Sequence, residues 1–205
     1  MDTIHFSLLE RIAEKDQQAF KELFDHFRNK VFNTVISYLQ HQEEAEEITH
    51  DVFIEVFHSA RYFNRQSSVS TWIYRIAVNK SLDQLRHRNR KKRSGFLVSL
   101  FLPDSTEAIP ELSTFEHPGV QLENKEKSKL LFSALRVLPE RQKTAFILQH
   151  IEGLSGREVS EIMNLSPKAV ESLTQRAKIN LRMQLEKFYP ERGKNRKESS
   201  IPVKE

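Results

Sequence analysis

Cysteine is absent from the chain, which excludes disulfides, thiolate zinc sites and thiol nucleophiles and suits a reducing compartment such as the cytoplasm. Glycine and proline are scarce, 5 and 7 of 205 residues, which argues against a turn-rich sheet protein. No apolar run is long enough to cross a bilayer, and Met1-Asp2-Thr3 opens without the basic-then-apolar pattern of a signal peptide. The sequence also lacks a P-loop, a Gly-x-Ser-x-Gly elbow and a His-Glu-x-x-His pair, and Gly153-Leu154-Ser155-Gly156 is too short to read as a phosphate cradle. Glu47-Ile48-Thr49-His50 has the spacing of half a di-iron site, but the second half that such a site needs is missing. No metal, cofactor or catalytic residue is expected, and the chain is read as no enzyme.

What is present is helical. Leu, Glu, Lys, Gln and Arg dominate long stretches, and the fold expected is all-α, two small helical domains joined by a flexible linker, the C-terminal one a helix-turn-helix. From Asp16, a plausible N-cap, Ala19, Phe20, Leu23, Phe24, Phe27, Val31, Val35 and Leu39 recur on one helical face. A second helix over residues 44–60 turns Ala45, Ile48, Val52, Phe53, Val56 and Phe57 inward and leaves a row of carboxylates outside. Ser70 is read as the cap of a third helix, which carries Trp72, Ile73, Ile76, Ala77 and Leu85 and runs into Arg86-His87-Arg88-Asn89-Arg90-Lys91-Lys92-Arg93. Residues 1–93 thus form one domain. Pro103, Pro110 and Pro118 mark residues 94–121 as the linker, within which the apolar residues 96–102 are expected to rest on a domain or a partner, with contact to an anionic membrane surface, after the basic tract, as the less favoured alternative. Helical pattern resumes over 123–138, 139–151 and 156–163 and then from Pro167, so residues 122–190 form the second domain. Residues 191–205 are a charged tail, expected to be disordered.

The net charge of +4 is modest, but the charges are clustered. In the second domain, Glu158 to Met163 reads as a helix and Asn164-Leu165-Ser166 as a tight turn: Asn tolerates left-handed backbone, Ser166 caps the next helix and Pro167 starts it. The outer face of that helix offers Lys168, Glu171, Ser172, Gln175, Arg176 and Lys178, groups able to reach phosphates or base edges in a major groove. A plain helical hairpin with solvated charges fits the same spacing. In the first domain, Tyr62, Phe63, Trp72 and Tyr74 precede the cationic stretch, a combination suited to stacking on unpaired bases while Arg and Lys follow the phosphates, although Trp72 also suits a core. The carboxylates of the second helix repel nucleic acid and point to a protein partner or to a solvated face.

Taken in order, these stretches resemble the sigma factors of the extracytoplasmic-function group, which keep only the second and fourth regions of the larger sigma proteins. Glu44-Ala45-Glu46-Glu47-Ile48-Thr49-His50-Asp51-Val52-Phe53 is similar to the acidic second-region helix. Ser70-Thr71-Trp72-Ile73-Tyr74-Arg75-Ile76-Ala77-Val78-Asn79, with Asp83, Leu85 and Arg86, is similar to the helix that opens the minus-ten element. Leu138-Pro139-Glu140-Arg141-Gln142, Glu152-Gly153-Leu154-Ser155 and the helix-turn-helix match the fourth region, which reads the minus-thirty-five element. The resemblance implies a cytoplasmic initiation factor that binds core RNA polymerase and promoter DNA, with an anti-sigma factor as a possible partner and neither a small-molecule substrate nor membrane insertion.

It assigns Glu44, Glu46, Glu47, Asp51 and Glu55 to polymerase. Tyr62, Phe63, Asn64, Trp72, Arg75, Asn79, Arg86, Arg88 and Arg90 fall to the minus-ten element, and Lys168, Ser172, Gln175, Arg176 and Lys178 to the minus-thirty-five element. Glu171, Leu173 and Ala169 depart from the recognition helix of many members, so the promoter sequence is not inherited with the resemblance. The competing reading is a free-standing helix-turn-helix regulator, which would need no acidic docking helix.

Overall fold

The computed structural model describes residues 2–99 and 125–187. Within them the chain forms α1 (Asp2–Ala13), α2 (Gln17–Leu39), α3 (Gln42–Ser59), a 3₁₀ turn (Ala60–Tyr62) and α4 (Val69–Ser99). There follow α5 (Lys125–Arg136), α6 (Glu140–Phe146) running on as a π turn (Ile147–Ile151), α7 (Gly156–Met163) and α8 (Pro167–Glu186). No strand occurs among the described residues.

Local chemistry sets the boundaries. Asp16 caps α2 by accepting from the backbone N–H of Gln18 at 2.8 Å and Ala19 at 3.1 Å, and these bonds, with Arg11, hold its carboxyl below the usual range. Gln40 ends the helix in left-handed backbone, φ 53°, its N–H bonded to the Ile36 carbonyl. The cap of α4 is Ser68 rather than Ser70: its hydroxyl accepts from Thr71 N–H at 3.0 Å, and Ser70 sits inside the first turn. α4 also continues to Ser99, beyond the expected end at Arg93, because the first proline that forbids helix is Pro103. The rest of the expected linker, with residues 100–102 of its apolar stretch, and the tail lie outside the described residues.

α1 was not expected. It inserts Leu8, Leu9 and Ile12 beneath α2, and with Leu23, Phe27, Val31, Val52, Phe53, Val56, Ile73 and Ala77 these make the first core. Phe27 and Phe53 are fully buried, each worth about 1.5–3 kcal/mol in transfer from water. Phe132, Leu135, Leu138, Ala177 and Leu181 form a second core between α5 and α8. The first core does not end at the boundary between the helix groups: it continues through Ile147, Leu148, Val159, Ile162 and Val170, so the π turn and α7 lie directly on α2 and α4.

Candidate nucleic-acid and polymerase interfaces

The helix-turn-helix is built as its residues suggest. Ser155 and Glu158 form a reciprocal capping box at the start of α7, whose hydrogen bonds hold the Glu158 carboxyl below its ordinary pKa. Asn164 ends α7 in left-handed backbone, φ 52°, and Ser166 accepts from Ala169 N–H at 3.3 Å ahead of Pro167. Val170, Thr174, Ala177 and Leu181 turn inward from α8. Lys168, Ser172, Gln175, Arg176 and Lys178 are all exposed, and they share the helix surface with the exposed carboxylate of Glu171. The loop before α7, which sequence reasoning set aside only as a phosphate cradle, has a structural job: Gly153 takes φ +71° after the π turn, a conformation that disfavours any side chain.

On α3, Glu43, Glu46, Glu47 and Asp51 are exposed together with His50. Glu44 is half-buried, 3.5 Å from Arg88, and Glu55 lies 3.9 Å from Lys80, so two of the five carboxylates assigned to a protein partner already have cations beside them. A groove of about 740 Å³ between α2 and α3 is lined by Phe24, Phe32, Glu46 and His50 among others. Among the described residues no group of three or more His, Asp or Glu could hold a metal, and no helix is long and apolar enough to cross a membrane.

The aromatic residues of the first domain divide. Phe63 and Trp72 meet at 5.1 Å and are half-buried, Phe63 stacks on Phe6 at 5.8 Å, and Tyr74 is buried. Tyr62, 70% exposed, is the ring that faces solvent, with the Arg61 guanidinium 4.6 Å from its centroid. Asn64, Asn79 and Arg90 are exposed. Three arginines are occupied: Arg88 donates to the Leu39 carbonyl at 3.2 Å, Arg75 to the Glu161 carbonyl at 3.1 Å, and Arg86 reaches Glu140 at 2.9 Å and Asp83 at 3.1 Å.

The Arg75 and Arg86 bonds cross from the first helix group to the second, and two further polar contacts join them. Gln40 donates to the Phe132 carbonyl at 2.8 Å and accepts from Arg136 at 2.9 Å, while Arg136 is shifted down by its burial and by Arg88. Glu152, on the chain after the π turn, faces Lys30, Tyr74 and Glu158 across a cavity of about 400 Å³. Burial pushes its carboxyl up to about 7, with partial relief from the Thr34 hydroxyl, and its Oε1 has no hydrogen-bond partner. The same burial, with Glu152 nearby, pushes Tyr38 and Tyr74 upward. Sequence reasoning missed this seam because its members are scattered along the chain from Gln40 to Glu161.

Residues 23–91 match the family Sigma-70 region 2, and residues 128–181 match Sigma-70, region 4. Among curated proteins the chain is 28% identical to the ECF RNA polymerase sigma-E factor of Haemophilus influenzae over 172 residues, 84% of this chain and 90% of that one. It is likewise 28% identical to the ECF RNA polymerase sigma factor SigW of Bacillus subtilis over 181 residues, covering 86% and 94%. In fold it is similar to CnrH solved with the cytosolic domain of CnrY, with a TM-score of 0.64, 20% identity and coverage of 89% of this chain and 97% of that one. The sigma factor RpoE solved with the anti-sigma factor NepR from Bartonella quintana gives a TM-score of 0.60 at 21% identity, covering 82% and 96%. With both matched regions in order and relatives aligned over most of their length, the chain belongs to the extracytoplasmic-function sigma factors of RNA polymerase, built from sigma-70 regions 2 and 4 alone.

Proposed function

We propose that this sigma factor divides promoter recognition between its two helix groups and performs no chemistry itself, acting in the cytoplasm as a binding subunit of polymerase. α3 docks on polymerase through Glu43, Glu46, Glu47 and Asp51, exposed carboxylates of which Glu46 also lines the α2–α3 groove. The exposed face of α8 reads duplex DNA: Lys168, in the first turn, contacts phosphate, and Gln175 or Arg176 contacts base edges. The first domain captures unpaired bases with Tyr62 and Asn64, while Asn79, Arg86 and Arg90 follow the strand along α4.

The observation that carries this reading is the segregation of charge: carboxylates gather on α3, and exposed cations gather on the outer faces of α4 and α8. The closed arrangement adds a condition. Arg75 and Arg86 cannot serve a phosphate while bonded to Glu161 and Glu140, so loading onto a promoter requires the two groups to part. A protein that keeps them together would act as an inhibitor, and an anti-sigma factor, the kind of partner with which the Bartonella protein was solved, suits that role.

Gel shifts with and without core polymerase test the reading against that of a free-standing regulator. The chain alone should bind promoter DNA weakly and the holoenzyme tightly. Equally tight, dimeric binding without polymerase would favour the regulator.

A further inference from the structure

We propose that α1 is a positioning element for the loop that meets the minus-ten strand, with Glu10 and Phe6 as positioning residues that fix Asn64. α1 precedes the residues matched to Sigma-70 region 2, which begin at 23. Its register is set by Leu8, Leu9 and Ile12, all buried in the first core. From that base it also touches the 3₁₀ turn and the loop that follows it.

Asn64 lies between two residues that α1 holds. On one side Phe63 stacks on Phe6 with ring centroids 5.8 Å apart and planes 29° from parallel, and passes the contact to Trp72 on α4 at 5.1 Å. On the other side Arg65 takes left-handed backbone at φ 58°, where a residue with a β-carbon stays only if its surroundings hold it. Its guanidinium is ion-paired with Glu10 and lies 5.7 Å from the centroid of the Phe6 ring. Asn64 itself accepts from Gln66 N–H at 3.2 Å, which completes the turn.

The Glu10–Arg65 pair is exposed on both sides, 63% and 59%, so by itself it adds little to the stability of the fold. What it does hold is the direction of the backbone next to Asn64, and a base-capturing group depends on such alignment because stacking and hydrogen bonding fall away with small displacements. This inference rests on the reading of Tyr62 and Asn64 as the groups that receive an unpaired base.

The test uses the full chain with core polymerase and a promoter carrying 2-aminopurine in the non-template strand of the minus-ten element. Fluorescence on base capture and transcription from templates changed at single minus-ten positions are measured for Glu10→Ala, Glu10→Gln and Asn64→Ala, alongside each variant's thermal midpoint. A single mismatch ordinarily costs about 5- to 150-fold. Glu10→Ala should cut that discrimination by about threefold or more and dim the capture signal at an unchanged midpoint. Glu10→Gln, still able to accept from Arg65, should keep most of both. Normal discrimination in Glu10→Ala beside impaired Asn64→Ala would overturn the role of α1 alone. Loss in Glu10→Ala together with a fallen midpoint would overturn it in favour of a plain folding role. Full activity in Asn64→Ala, and in Tyr62→Ala measured beside it, would remove the base-capture reading, and this inference with it.

Discussion

Glu152 should make the closing of the two helix groups depend on pH. Its carboxyl is pushed from the ordinary 4.5 to about 7 by burial. The groups around it are Lys30, Thr34 and Tyr38 on α2, Tyr74 on α4 and Glu158 on α7, and all but Glu158 belong to the first helix group. If the groups part, Glu152 regains water and an ordinary pKa. Below about pH 4.5 it is neutral in both arrangements and has no influence. Between 4.5 and 7 it ionises only when open, so closure weakens steadily, and above about 7 the full penalty applies. A displacement of about 2.5 pH units at 1.36 kcal/mol each sets that penalty at about 3 kcal/mol. Glu152→Gln, of the same shape and always neutral, should remove it and hold the protein closed at pH 7.5. The natural absence of cysteine allows a single pair to be introduced at exposed Lys21 and Lys178 for energy transfer between dyes. Transfer should fall from pH 5 to pH 7.5 in the parent chain and stay high in Glu152→Gln. The same pH profile in both proteins would refute the argument, since the histidines, common to both, would then be its cause.

Reversing charge on α3 with Glu47→Lys and Asp51→Lys should weaken association with core polymerase while circular dichroism stays unchanged, and undiminished co-purification would remove α3 from the docking surface. On α8, Lys168→Ala should weaken binding to all promoters about equally and flatten its salt dependence, whereas Arg176→Ala should cost about 1–3 kcal/mol and relax one base position, as read by selection from a randomised upstream library. Gly153→Ala should lower stability to urea by about 1–2 kcal/mol through its left-handed φ alone, because a β-carbon there meets no atom within 4 Å.

The helix-turn-helix was legible because its turn is written in single residues: Asn164, Ser166 and Pro167 each have a strong local preference, and α7 ends and α8 starts where those preferences put them. α2 was legible from Asp16 for the same reason. α1 escaped because its buried face is only Leu8, Leu9 and Ile12, too few positions to establish a period. Two serines compete for the cap of α4, and the choice of Ser68 over Ser70 turns on a hydroxyl that also bonds to Thr71 Oγ1 at 2.9 Å, a contact that local spacing cannot rank. The division of the aromatic residues is a tertiary fact: Phe63 turns inward between the ring of Phe6, more than fifty positions away in the chain, and that of Trp72. The seam between the domains lay beyond reach for the same reason, since Gln40, Arg75, Glu140 and Glu152 are ordinary surface residue types until the fold brings them together.

The central claim, that the first domain opens DNA while the second anchors the complex, is tested most directly by run-off transcription on two forms of one promoter, fully duplex and premelted across the minus-ten element. Asn79→Ala with Arg90→Ala alters exposed positions on α4 that are separate from the Arg75 and Arg86 contacts to the second domain. Transcription from the duplex should fall and the premelted template should restore much of it. Equal loss on both templates would contradict the division, because the defect would then lie in general affinity for DNA rather than in opening it.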